Sequence, residues 1–258
     1  MIIGGKNFSG GTHVMAIINL TPDSFYAPSR AADNALFAAE KAVKEGAAIL
    51  DLGAQSTRPG FTEISADEEI ARFEKPLHEI KKNFGIPVSV DTYFEKSARA
   101  ALSLGADMIN DVWGLSHDEN MAATVAEFGA AICIMHNSKT PLSGDIWTEI
   151  LQFLKRQSDL ALAAGVDTDK ICLDGGIGFA KDRAQNYELL QNYGRLSALG
   201  YPLLLGASRK SMFGGRVEDR LPQTLQATRT ACKQGALFVR VHDVAENVRE
   251  ITKARQGD

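Results

Sequence analysis

The sequence predicts an α/β fold, a (β/α)8 or TIM barrel formed as a single domain over residues 1–258. Three observations predict it. Eight continuous apolar runs occur, each with a polar residue at its C-terminal end. Helical stretches separate these runs, and most runs are preceded by a glycine. The length matches the ~250 residues usual for such a barrel. A strand buried on both faces reads as a continuous apolar run. A polar residue at its end must then serve something outside the core, and in this architecture the chemistry sits at the C-terminal strand ends.

In chain order, HVMAIIN ends at Asn19, AAILDLG carries Asp51, PVSVDT carries Asp91 and ADMIND carries Asn110. AAICIMH ends at His136, KICLDGG carries Asp174, PLLLGASRK ends at Lys210, and ALFVRVHD carries Arg240 and His242. Between them, Ile70, Phe73, Leu77, Ile80 and Phe84 have the spacing of one helix face. Ser65 and Glu68 form a capping box at its start, and Pro76 is expected to kink or split it. Met121, Val125 and Phe128 give a second face; Tyr187, Leu190, Tyr193 and Leu196 give a third. The last helix opens with Asp243 and Glu246 in capping-box spacing and runs through Val244, Val248 and Ile251. Gly46, Gly85, Gly105, Gly129, Gly165, Gly200 and Gly235 each close a helical stretch before a strand, where glycine takes the left-handed conformation cheaply. Residues 1–12 precede the first strand and are expected to cover the barrel bottom.

The apolar share of 45% and charged share of 23% are those of an ordinary globular protein. The net charge of -4, with no basic block, argues against nucleic acid as a partner. No run approaches ~18 apolar residues, so no membrane span is expected. The opening MIIGGKNFSGG has no basic segment followed by a long apolar one and is not read as a signal peptide. Cys133, Cys172 and Cys232 are odd in number and lie in apolar runs or helical stretches, which suits reduced, buried thiols in a cytoplasmic protein.

Two long loops, Thr21 to Ala32 and Gln55 to Glu63, fall on the expected catalytic face. Arg209, Lys210, Arg240 and His242 follow the seventh and eighth runs, where barrels of this kind often bind phosphate. Together they suit a multiply charged oxyanion; the competing reading pairs some of them with acids such as Asp243. Asp91, Asn110 and Asp174 project toward the barrel mouth and match a flat, nitrogen-rich heterocycle. The alternatives there are a metal site from Asp91 and Asp174 with His136 as third ligand, or capping of strand ends. GGIGFAK (175–181) lacks the pattern of a dinucleotide loop, and its glycines are expected to let backbone approach a flat ligand. His136 is read as orienting the strand ends rather than as a base.

The segments NLTPDSF (Asn19 to Phe25), QSTRPG (Gln55 to Gly60), SVDT (Ser89 to Thr92), IND (Ile109 to Asp111), MH (Met135, His136), LDGGIGF (Leu173 to Phe179), SRKS (Ser208 to Ser211) and RVHD (Arg240 to Asp243) stand one per barrel loop. On these segments the chain resembles the dihydropteroate synthase family over nearly its whole length. The resemblance implies a transferase of folate biosynthesis and a sulfonamide target. Its reaction would join 6-hydroxymethyl-7,8-dihydropterin diphosphate to 4-aminobenzoate, giving 7,8-dihydropteroate and diphosphate. By the same likeness Asp91, Asn110, Asp174 and Lys210 hold the pterin, with Met135 and Phe179 against the ring. Arg240 and His242 hold the diphosphate, joined by Arg58, and Asn19 ligates Mg2+ on it. Asp91, Lys210, Arg240, His242 and Arg58 form the catalytic set. Thr57, Pro59, Phe179 and Ser211 form the aminobenzoate pocket. The family also implies a cytoplasmic homodimer acting on small molecules, with no nucleic acid or membrane partner.

The chain departs from the family pattern in four places. Tyr26, Ala27, Pro28 and Ser29 stand where Ser-Asp-Gly-Gly is usual, which predicts activity retained at a reduced rate. Gly53-Ala54-Gln55-Ser56 replaces Gly-Gly-Glu-Ser, Gly175 replaces a proline, and Asn137-Ser138 replaces Met-Gln. The alternative functions are a catalytically silent pterin-binding paralogue and a methyltetrahydrofolate–corrinoid methyltransferase. The second has no diphosphate to hold, which SRKS and RVHD argue against.

Overall fold

A computed structural model describes residues 1–20, 28–55 and 63–256. A short antiparallel hairpin of β1 (Ile2–Ile3) and β2 (Lys6–Asn7) comes first. The eight barrel strands are β3 (His13–Asn19), β4 (Ile49–Gly53), β5 (Val88–Asp91), β6 (Met108–Asp111), β7 (Ala131–Met135), β8 (Ile171–Asp174), β9 (Leu204–Leu205) and β10 (Phe238–Val241). Between and after them lie α1 (Pro28–Lys44), α2 (Ala66–Asn83), α3 (Glu95–Ser103), α4 (Met121–Glu127), α5 (Ile146–Ala163), α6 (Arg183–Gln191), α7 (Leu221–Lys233) and α8 (Val244–Gln256). The strands are parallel in the order β8-β7-β6-β5-β4-β3-β10-β9. The ring closes between β8 and the start of β9 through an isolated bridge, Leu173 to Leu203, with the Leu173 N–H on Pro202 O at 2.9 Å. The (β/α)8 barrel read from the sequence is the architecture found. No helix among the described residues is long and apolar enough to cross a membrane.

Alternation along each strand explains the continuous apolar runs. Val14, Ala16, Ile18, Leu50, Leu52, Val88, Val90, Ile109, Ile132 and Ile134 pack outward with Phe73, Leu77 and Ile80 of α2 and the other helices. The intervening residues face inward, as the two-residue strand period requires. Met15, Ile49, Met108, Ala131, Leu204 and Phe238 form an apolar layer at the N-terminal strand ends, joined by Ile3, Phe8, Cys133 and Cys172. Above it the interior turns polar. Asn19, Gly53, Asp91, Asn110, Cys133 and Cys172 are register partners on successive strands; because barrel strands tilt, the row starts among the polar residues and descends into the apolar layer at Cys133 and Cys172.

Several local expectations differ from the structure. Pro76 does not split its helix, because α2 runs unbroken with Phe73, Pro76, Leu77 and Ile80 all buried. That packing outweighs the lost backbone bond. Ser65 caps α2 by accepting from the Glu68 N–H, while the Glu68 carboxylate turns to Arg72 instead of completing the box. The stretch from Tyr187 to Leu196 is two elements, α6 and a 3-10 turn Tyr193–Leu199. Phe128 falls beyond α4 and is 38% exposed. The Asp243 carboxylate is taken by Arg209. Of the helix-ending glycines, Gly85 alone lacks a positive φ, since α2 ends in the extended Phe84 before it.

Candidate active site

The polar level of the barrel is organised by one arginine. Arg240 lies on β10, two strands from β4 and three from β5, and reaches across the interior. Its Nε donates to Asp51 Oδ2 at 2.5 Å and its Nη2 to Asp91 Oδ2 at 2.6 Å. Asn110 Nδ2 lies 3.5 Å from the same Asp51 oxygen. Asp51 is 0% exposed, so it acts only through its neighbours. Burial raises Asp91 to about 7, against the pull of Arg240 and with a push from Asp51 and Glu69. Burial works against the Arg240 charge, but Asp51 and Asp91 more than offset it, and its pKa lies above the usual range. Two carboxylates on one guanidinium give this level a negative balance once Asp91 is ionised, above about 7.

This pairing corrects the expectation of four converging cations. Arg240 is neutralised from below, and Arg209 is committed to Asp243, with Nε on Oδ2 at 2.9 Å and Nη2 on Oδ1. The Arg209 backbone is left-handed, φ 55°. Its N–H donates to Thr224 Oγ1 at 3.0 Å and its carbonyl accepts from Arg220 Nη1 at 3.0 Å. Arg209 therefore shapes the turn that presents Lys210. Lys210 Nζ stands 4.2 Å from the centre of the Phe179 ring, within cation–π reach.

The other predicted residues gather around the same mouth. Asp174 ends β8 and accepts the Gly176 N–H on Oδ1 at 2.7 Å. Burial raises its pKa, opposed by that bond and by Lys210. Met135 is buried with Tyr93 and Val112, and Phe94, Trp113 and Phe179 pack against them as an aromatic wall. His242 Nδ1 lies 3.0 Å from Ser208 Oγ, which also accepts the His242 backbone N–H at 3.2 Å, so Ser208 fixes the orientation of the ring. Asn19 ends β3, half-buried, and Ser211 is exposed on the rim. Thr57, Arg58 and Pro59, and Ala27 of the first long loop, lie outside the described residues.

His136 is 2% exposed and its Nδ1 stands 3.0 Å from Lys181 Nζ. Lys181 also donates to Gly176 O and Phe179 O. Burial lowers Lys181 to about 7, and burial and Lys181 together lower His136 to about 3. His136 is thus a neutral acceptor bracing the loop after β8. Among the described residues no three His, Cys, Asp or Glu side chains converge, so the Asp91–Asp174–His136 metal site does not form. The loop glycines also differ from expectation. A Cβ on Gly176 would strike His136 O at 1.9 Å, and one on Gly175 would press Leu189 and Leu196 at 3.1 Å. These two admit protein rather than ligand; Gly178, facing Lys210, borders the mouth.

Sequence reasoning missed Asp51 as a site residue. The signal was present: a carboxylate two residues inside a buried strand must be paired. Tyr193 behind Asp174 and Lys181 behind His136 were missed as well, and only their tertiary neighbours reveal them.

A parallel barrel with two carboxylates, an amide and a lysine around an aromatic-walled mouth defines a barrel enzyme for a flat, nitrogen-rich ligand. A family model described as "Pterin binding enzyme" matches residues 15–242. The dihydropteroate synthase of Clostridium beijerinckii is 44% identical over 96% of this chain and 96% of its own. A crystal structure of the Clostridium difficile dihydropteroate synthase in the presence of pteroic acid superposes with a TM-score of 0.94, at 40% identity over 97% of this chain and 98% of that one. The Xanthomonas albilineans dihydropteroate synthase with 4-aminobenzoic acid gives 0.92, at 35% identity over 96% and 93%. The chain belongs to the pterin-binding enzyme family and, within it, to the dihydropteroate synthases.

Proposed function

We propose that this barrel condenses 6-hydroxymethyl-7,8-dihydropterin diphosphate with 4-aminobenzoate, releasing 7,8-dihydropteroate and diphosphate. The observation that carries the reading is the Asp51–Arg240–Asp91 level, negative in balance, beneath a mouth bearing Lys210 and His242. Asp174 and Asn110 take the edge of the pterin, Lys210 reaches its ring, and Met135 and Phe179 lie against its faces. Reaction begins when the bond between the pterin methylene and the diphosphate oxygen breaks, its electron pair leaving with diphosphate. The methylene is left positive, with charge spread into the ring. Asp91 stabilises that charge from a site arranged before reaction starts. The amine of 4-aminobenzoate then forms the C–N bond and loses one proton to solvent water at the mouth, with Thr57, Pro59 and Ser211 seating its ring. The leaving diphosphate is held by the His242 ring, by Arg58, and by the Nη1 edge of Arg240 that faces away from Asp51 and Asp91.

The described residues offer no protein cage for a resident metal. The residue assigned to the ion is Asn19, whose amide Oδ1 lies 3.9 Å from a Cβ built on Gly53. A single amide oxygen fits a Mg2+ ion that arrives on the diphosphate and keeps most of its waters. Such an ion would neutralise leaving-group charge.

Incubating the protein with both substrates and Mg2+ and measuring diphosphate release tests the reading. Stoichiometric diphosphate and dihydropteroate are expected. Pterin binding without release would assign a silent paralogue, and methyl transfer from methyltetrahydrofolate would assign the other barrel chemistry.

A further inference from the structure

We infer that Tyr193 is a positioning residue for Asp174: its buried hydroxyl, oriented by the Gly175 N–H, donates to Asp174 Oδ1 and holds that carboxylate toward the ring of the substrate. The inference rests on the reading of Asp174 as a pterin-binding group. Tyr193 is 0% exposed and lies in the 3-10 turn behind β8. Its oxygen accepts the Gly175 N–H at 3.0 Å and stands 3.1 Å from Asp174 Oδ1 and against the Leu204 carbonyl. A phenol has one proton and two lone pairs. With one lone pair taken by Gly175, the proton serves Asp174 and Leu204. An ionised Asp174 draws it, because charge-assisted bonds are the stronger; a protonated Asp174 releases it to Leu204. The Gly176 N–H lands on the same Oδ1 at 2.7 Å. Two donors therefore fix one oxygen, while Oδ2 lies on the Gly206 side, 3.3 Å from a Cβ placed there.

One further observation bears on this. The hydroxyl links Gly175, just after β8, to Leu204 of β9, across the seam that a single bridge closes.

The charged and titratable groups facing Asp174 are Lys210, Lys181, Arg240, Cys133 and Tyr193. Burial raises the Asp174 pKa, and the Tyr193 bond opposes the rise. Tyr193→Phe keeps the ring and removes the hydroxyl. The experiment follows the Asp174 carboxyl by 13C NMR in aspartate-labelled protein, its signal identified by loss in Asp174→Asn. In Tyr193→Phe the titration midpoint should move to higher pH, the Kd for pteroic acid should rise about tenfold, and the KM for the pterin substrate should rise more than that for 4-aminobenzoate. A merely structural tyrosine would lower thermal stability and leave the midpoint in place, which would overturn the inference. Should Tyr193→Phe not fold, Gly175→Pro keeps the phenol and removes its N–H partner. The midpoint should then move the same way by less, and no movement overturns the inference equally. If Asp174→Asn binds pteroic acid as tightly as the parent, the pterin role of Asp174 fails instead, which is a separate result.

Discussion

Replacing Arg240 with methionine is expected to remove about 3–5 kcal/mol of folding stability, because it leaves two buried carboxylates without their counter-ion. That is a large share of the about 5–15 kcal/mol that typically separates native from unfolded chains. Asp51 is fully buried and Asp91 nearly so, and water cannot take over the role of the guanidinium. The loss should be partly recovered by Asp51→Asn in the Arg240→Met background, which removes one stranded charge while keeping the shape. Urea unfolding of the parent, the single variants and the double variant reads this directly. Additive losses in the double variant would mean that Arg240 and Asp51 do not form an energetic unit. A variant of Arg240 that bound diphosphate as tightly as the parent would also remove Arg240 from the anion site.

Asp91→Asn should lower kcat/KM by about 10²–10³-fold, the usual cost of losing one prearranged electrostatic group. It should also change how the protein responds to pH. Burial raises Asp91 from 3.8 to about 7 in the folded chain. The folded state therefore binds this proton more tightly than the unfolded state. The stability linked to Asp91 is full below the unfolded value and is lost as pH rises toward about 7. The difference in unfolding free energy between the parent and Asp91→Asn should slope across that window and level off above it. In catalysis the ionised form is the useful one, so kcat/KM of the parent should fall below about 7. Steady-state kinetics on both sides of neutrality would reveal that limb. A parent profile flat through neutrality would mean that Asp91 ionises at its ordinary value.

The architecture was readable because strand burial on both faces leaves a one-dimensional signature. Each run kept its apolar residues on both sides, and most helices returned through a turn that glycine favours. What could not be read was pairing across the barrel. Arg240 and Asp51 are 189 positions apart in the chain. Nothing local to either names the other, although a carboxylate inside the run at Asp51 required some partner. Arg209 misled for the opposite reason. It sits beside Lys210 in sequence, but its left-handed backbone turns it away to Asp243. Proximity in the chain suggested a shared task where the turn had divided the two. The split after α6 was hidden as well, because Tyr187, Leu190, Tyr193 and Leu196 keep a helical spacing through a break at Asn192.

The apolar layer of Met15, Ile49, Met108, Ala131, Leu204 and Phe238 makes the barrel a blind well rather than a passage. Everything that enters at the C-terminal mouth must leave by it. Asp174 and Asn110 are buried, whereas Ser211 stands exposed at the rim. On the proposed assignment the pterin would be the deeper guest and would have to arrive first, with 4-aminobenzoate closing the well behind it. On this assignment the joined product and the diphosphate would both leave through the opening by which the substrates came, and the wall beneath the ionic layer imposes that without touching either.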